Sequence, residues 1–137
     1  MTSSRRIVFS VSLLLSAIGT LAAQGLHWSY QTRITQTYDI VPGQNAEAPA
    51  FASVPYPLYP FEMVRSGITG TAQLQFRVRT DGAVENVRVL KASQKEFSEA
   101  AVAAVKTWRF LPLAKNAPNY PTSVEVVCAF KFELPDE

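Results

Sequence analysis

Residues 70–79 alternate apolar and polar side chains without a break. Ala72, Leu74, Phe76 and Val78 fall on one side; Thr71, Gln73, Gln75 and Arg77 fall on the other. Successive strand residues point to opposite faces, so this run is a strand with one buried and one wet face, an element of an antiparallel sheet. Thr80-Asp81-Gly82 follows it, and Asp-Gly between two alternating runs supplies the positive φ that a tight hairpin needs. Asp81 is therefore a turn residue. A second strand is expected over residues 83–92. There Val84 is out of phase with Val87 and Val89, which predicts a bulge near Glu85 and Asn86.

The rest of the pattern hangs on this hairpin. Ser93 and Glu96 have the spacing of a capping box. Phe97, Ala100, Ala101, Ala104, Val105 and Trp108 then form one helical stripe. The alanines let the helix lie close to the sheet, and Phe97 and Trp108 close the stripe at its ends, each worth about 2–3 kcal/mol when buried. Trp108-Arg109-Phe110-Leu111-Pro112 ends the helix, because Pro112 cannot continue it. After a loop at 114–121, Val124, Val126, Cys128, Phe130, Phe132 and Leu134 share the buried phase of a last, long strand. Upstream, residues 61–65 suit a short helix with Pro60 at its start and Gly67 at its exit. Gly70, like Gly67, is a backbone device. The expected fold class is α+β in the order α-β-β-α-β. Its three-stranded antiparallel or mixed sheet has the order 2-1-3, with the helices on one face. The third strand is then a long edge, a hazard unless it has a task such as accepting a partner's strand.

The N-terminus reads differently. Arg5 and Arg6 precede an apolar run over residues 7–23, and Ala22, Ala23 and Gly25 follow at its exit. These are the parts of a secretory signal peptide, assigned to residues 1–23 and cut after Ala22 or Ala23; an uncleaved membrane anchor is the other reading. Without Arg5 and Arg6 the 13 Lys and Arg become 11, equal to the 11 Asp and Glu. A neutral mature chain lacks the basic footprint of a nucleic-acid binder or of a lipid-binding patch. One cysteine, Cys128, excludes an internal disulfide, and its place in a buried phase makes it a small hydrophobe.

Residues 24–54 are expected to be an extended arm and a proline-rich linker, ahead of a domain at 55–135. In the arm, Trp28, Tyr30, Thr32, Ile34, Gln36, Tyr38 and Ile40 share one period-two phase. That fits either an edge strand or an extended, poorly ordered arm. The linker ends in Tyr56-Pro57-Leu58-Tyr59-Pro60, too aromatic to be free, so its tyrosines should lie against the domain.

Tyr59-Pro60, Gly67 to Gly70, Asp81-Gly82, the helix alanines and Trp108 to Pro112, in this order and spacing, resemble the TonB C-terminal domain family. The resemblance implies a periplasmic module that captures a short segment of an outer-membrane receptor by pairing with its third strand. It implies a docking segment at Tyr56, Pro57, Tyr59 and Pro60, and a pairing strand with Val124, Glu125, Val126, Val127, Ala129 and Lys131. Gly67, Gly70, Asp81, Gly82, Ser93, Glu96, Trp108, Phe110 and Pro112 are then structural. Two departures stand out against a full energy transducer: the apolar run holds no histidine, and the spacer reaches at most roughly 100 Å.

The partner expected is an outer-membrane TonB-dependent receptor or another envelope protein. The alternative is a stand-alone assembly module that dimerises through the same edge. If the arm pairs with the domain's own sheet, the module blocks itself. No catalytic set can be assembled, because the folded region has no histidine and Glu96 is better used as a cap. His27 has no clustered ligands, so neither metal nor cofactor is expected. Arg109 is open to pairing with a carboxylate such as Glu62.

Overall fold

A computed structural model of the chain describes residues 7–11, 32–44, 46–113 and 122–135. The leader's small-residue exit, Trp28, Tyr30 and the loop at 114–121 lie outside these residues. The elements are β1 (Ile7–Val11), β2 (Arg33–Ile40), β3 (Phe51–Ser53), α1 (Phe61–Arg65), β4 (Gly70–Arg79), β5 (Val84–Ala92), α2 (Lys95–Val105), β6 (Arg109–Phe110) and β7 (Ser123–Glu133). The fold is α+β. Five strands form one antiparallel sheet in the order β1-β2-β7-β4-β5, and β3 pairs with β6 in a second, two-stranded sheet.

The expectation of three strands thus counted too few, and the third expected strand is not an edge. β7 pairs with β4 from Ser123 to Phe132 on one side, and with β2 from Val126 to Glu133 on the other. The arm chose the strand reading for a physical reason. Ile34, Gln36 and Tyr38 are buried on one face of β2, so the arm gains a core contact as well as a ladder of hydrogen bonds. The proline-rich segment is not a spacer either. It folds back across the core, and Ala46, Ala48, Val54, Tyr56 and Tyr59 pack against it.

One face of the large sheet carries the core. Leu74, Phe76 and Val78 from β4 and Val124, Val126, Phe130 and Phe132 from β7 meet Phe97, Ala101 and Val105 from α2. Trp108 lies at its centre, edge-on to Phe76 at 5.8 Å and to Phe130 at 5.8 Å. The opposite face presents Thr, Gln, Arg and Glu to water, as the alternation of β4 requires.

Local devices fit these positions. α1 ends in a Schellman closure: Ile68 N donates to Met63 O at 2.8 Å and Gly67 N to Val64 O at 3.1 Å, with Gly67 at φ +66°. Gly82 has φ +86°, and a Cβ there would strike the Phe110 carbonyl. The bulge expected near Glu85 and Asn86 is present, with Asn86 at φ +53°. Two local expectations fail. The capping box does not form: α2 starts after Gln94, and Ser93 still belongs to the end of the hairpin, where its hydroxyl accepts from Thr71 N at 2.9 Å. The segment after the helix is not a plain terminator. Arg109 and Phe110 pair with β3, and Arg109 donates to Trp108 O, while Glu62 sits beside Arg65.

If β2 belongs to the core, Ile34→Ala should cost about 2–4 kcal/mol in a urea melt, and Thr35→Ala on the wet face less than about 0.5 kcal/mol. Equal, negligible effects would mean that β2 is only draped on the sheet.

Candidate functional site

The residues expected to bind a partner fall into two groups. Tyr59 lies edge-on to Phe97 at 5.6 Å and to Phe132 at 5.5 Å, near the C-terminal end of β7. Val124 and Glu125 lie at the other end, eight and seven residues before Phe132, roughly 23–26 Å away along a strand. No single surface patch joins them.

The docking segment is turned inward more than its sequence suggests. The Tyr59 hydroxyl donates to Ile68 O at 2.7 Å, Pro57 is buried, and Tyr56 and Pro60 are half-buried. What this stretch presents to solvent is Leu58, 76% exposed, and Phe61, 66% exposed. Sequence reasoning gave weight to the tyrosines and missed these two. α1 has only five residues and buries none of them fully; Met63 is the one that packs on the core, and Phe61, two positions earlier, lies away from it.

On β7, Val124 and Val126 are fully buried, so no partner side chain reaches them. Glu125, Val127, Ala129 and Lys131 stand on the open face of the sheet. Glu125 is tied there by Arg77, Nε to Oε1 at 2.8 Å, and by Gln75 Nε2 at 3.3 Å.

The backbone edge of β7 is closed by more than β2. Pro42-Gly43 makes a turn with Gly43 at φ +94°, which brings Gln44 back onto the strand. The Gln44 carboxamide then acts as a surrogate peptide. Its Oε1 accepts from Glu125 N at 2.7 Å, and its Nε2 donates to Glu125 O at 2.8 Å and to Val41 O at 2.9 Å. Val41 N also donates to Glu125 O at 3.0 Å. Gln44 extends the ladder past the end of β2, and no sequence signal beyond the Pro-Gly turn announced it.

The returning segment holds β2 in place through its carbonyls. Gln36 Nε2 donates to Val54 O at 3.0 Å, Tyr38 Oη to Pro49 O at 3.3 Å, and Trp108 Nε1 to Pro55 O at 2.9 Å. A proline-rich stretch has spare acceptors because its own N–H groups are few. Gln36 Oε1 is buried without a hydrogen-bond partner.

The sheet has two ends. β5 is bulged twice: Leu90 stands between Lys91, opposite Gln73, and Val89, opposite Leu74, and a second irregularity falls at Asn86. Bulges with Arg88 and Lys91 on the strand are the usual protection of an edge. The other end is β1, paired with β2 from Ile7↔Tyr38 to Val11↔Ile34.

Among the described residues, no His, Cys, Asp and Glu gather in a group that suits a metal ion, and no helix is long and apolar enough to cross a membrane. Burial pushes the Cys128 thiol up to about 12 from 9.0, against a smaller opposing pull from a Leu74 backbone hydrogen bond. Burial, then the charge of Glu133, pushes Tyr59 up to about 12 from 10.0. Burial also raises Tyr38.

Residues 55–134 match the family described as Gram-negative bacterial TonB protein C-terminal. Similar curated proteins include "Protein tonB2" of Pseudomonas aeruginosa, 36% identical over 78 residues, which cover 56% of this chain and 29% of that protein. "Protein TonB" of Yersinia enterocolitica is 34% identical over 86 residues, covering 61% of this chain and 33% of that one. The chain thus spans about a third of the length of these relatives. In fold it is similar to the solution NMR structure of the P. aeruginosa TonB C-terminal domain, with TM-score 0.57 and 21% identity, over 68% of this chain and 93% of that one.

The raised groups predict a pH dependence. Between about 9 and 12 the folded chain keeps protons that the unfolded chain has lost, so stability is full below about pH 9 and falls as pH rises through that window. Urea melts should therefore be flat to about pH 8.5 and weaken above it, with a shallower fall in Cys128→Ala and in Tyr59→Phe. A thiol reagent that labels native Cys128 as fast as a free thiol would contradict this burial.

Proposed function

Because the chain belongs to the TonB C-terminal family, with residues 55–134 matching it, we propose that it works as an exported binding module of the Gram-negative cell envelope. Residues 1–23 are a leader, and the module acts in the periplasm. It engages an outer-membrane TonB-dependent receptor, or another envelope protein, by taking an extended segment of it onto its sheet. It is a binder and not an enzyme, and needs no cofactor.

The observation that carries this reading is the contrast between the two ends of the large sheet. β5 is bulged and carries Arg88 and Lys91, whereas at the other end β2 pairs in unbroken register, with β7 on its inner side and β1 on its outer side. Backbone pairing on such an edge gives affinity with little demand on side chains. Leu58 and Phe61, exposed beside the β7 end that Tyr59 touches, add an apolar contact near it.

Relay of force from the inner membrane is a further part of the family's work in its full-length members. Here residues 33–54 are folded against the core, which leaves less chain for a spacer than the sequence count allowed. That favours binding without force transmission. A homodimer through the same edge is the second reading, supported by the same regular ladder, since an antiparallel edge can take its own copy.

Box peptides of outer-membrane receptors, titrated into ¹⁵N-labelled protein recovered from the periplasm, should shift amides of β2 and of the 56–61 segment. Silence at millimolar peptide, together with no crosslink to any outer-membrane receptor in cells, removes the receptor reading. A concentration-dependent doubling of mass by light scattering supports the dimer instead.

A further inference from the structure

The strand that covers β2 is drawn from the segment assigned to the leader. β1 is Ile7–Val11, inside the apolar run, and it sits antiparallel on the outer edge of β2. If the leader is hydrolysed off after Ala22 or Ala23, that strand leaves with it. The edge then laid bare belongs to β2 and not to β7.

The geometry defines this edge residue by residue. Val41 N donates to Glu125 O, toward β7. In an antiparallel ladder the residues alternate between neighbours. Asp39, Thr37, Thr35 and Arg33 therefore turn their peptide groups to β7, and Ile34, Gln36 and Tyr38 turn theirs outward. Ile40 N would be the next outward donor, but it is taken by Asp39 Oδ1 at 2.8 Å. The usable edge thus ends at Tyr38, and β1 ends opposite the same residue.

β2 is not a loose strap that a partner can peel away. Ile34 and Tyr38 are each 2% exposed, Gln36 is 1% exposed, and the Gln44 clamp closes the ladder beyond it. Displacing β2 to reach β7 means exposing this core. Adding a strand to β2 exposes nothing.

We propose that maturation opens the outer edge of β2, residues Ile34 to Tyr38, and that this edge receives an extended five-residue segment of an envelope partner, antiparallel, where Ile7–Val11 pairs in the uncut chain. This rests on the reading that residues 1–23 are a leader and that the module binds by strand addition; it moves the site from β7 to a strand outside the family-matched region. The occupant's chemistry follows from the register. Ile7, Phe9 and Val11 stand opposite Tyr38, Gln36 and Ile34, which face the core, and Val8 and Ser10 stand opposite Thr37 and Thr35. The fitting segment is apolar at its first, third and fifth positions, with small or β-branched residues between.

The test uses protein recovered from the periplasm of cells expressing the full chain. N-terminal sequencing should find the start at residue 23 or 24; an intact Met1 overturns the proposal, because β1 then stays in place. A peptide with the sequence of residues 6–12 serves as probe, followed by amide shifts and hydrogen exchange. The expected result is new protection at Ile34, Gln36 and Tyr38 with β7 unchanged. N-methylation at the position of Phe9, which faces β2, should weaken binding at least about tenfold, and N-methylation at the position of Val8 should not. Protection lost along β2 while β7 shifts would mean displacement, and would overturn the β2 site while leaving the binding module intact. If the probe binds as described but no receptor segment does, the edge assignment stands and the receptor reading falls. Failure of the probe to bind, or protection of the same amides by self-association alone, overturns the proposal.

Discussion

β7 is hydrogen-bonded along both of its edges, and the rest of the molecule is arranged around that condition. On one side it meets β4, the strand whose strict alternation fixes which face is core. On the other it meets β2, and past the end of β2 the Gln44 side chain stands in for a peptide group. A strand whose amides and carbonyls are all wanted by neighbours cannot slip by one residue without turning Phe130 and Phe132 out of the core. Register, core and the seat of α2 are therefore set together.

The second layer follows from the same condition. Placing β2 beside β7 carries Gln36 and Tyr38 inward, and both bring polar atoms that need partners. The returning segment 46–60 meets the need of their donors with the carbonyls of Val54 and Pro49, and gives the Pro55 carbonyl to the indole of Trp108. A stretch that looks like a spacer in composition is thus a lid of acceptors over the core. The prolines keep it extended; the buried donors keep it down.

What could be read from the sequence divides along physical lines. The hairpin, the stripe from Phe97 to Trp108, the Gly67 exit and the buried phase of Val124 to Phe132 are local signals, written in periodicity and in the φ demands of glycine. The family resemblance rests on the same features. The five-stranded sheet was not legible, because whether residues 33–40 pair or hang free depends on a neighbour some 90 residues away in sequence. Ser93 was misassigned because a capping-box spacing says nothing of whether Thr71 competes for the hydroxyl. In the candidate site, β7 was expected as an open edge and is instead covered by β2, while Leu58, Phe61 and Gln44 depend on how short elements are turned in space, which spacing does not encode.

The position of β7 at the end of the chain bears on the order in which the protein can fold. Each of the two strands that flank it is made long before it, and neither β2 nor the β4–β5 hairpin has its central neighbour until the last residues arrive. Contacts of such long sequence separation form late and slowly. The chain therefore stays without a closed core until residue 133 is available to pair. The same delay leaves β2 and β4 as unpaired edges in the meantime, the condition in which strands find wrong partners. The polar, threonine-rich wet face of β2 and the bulges of β5, with Arg88 and Lys91 beside them, therefore matter before the fold is complete as well as after it, because they oppose wrong pairing while the shared neighbour is still missing.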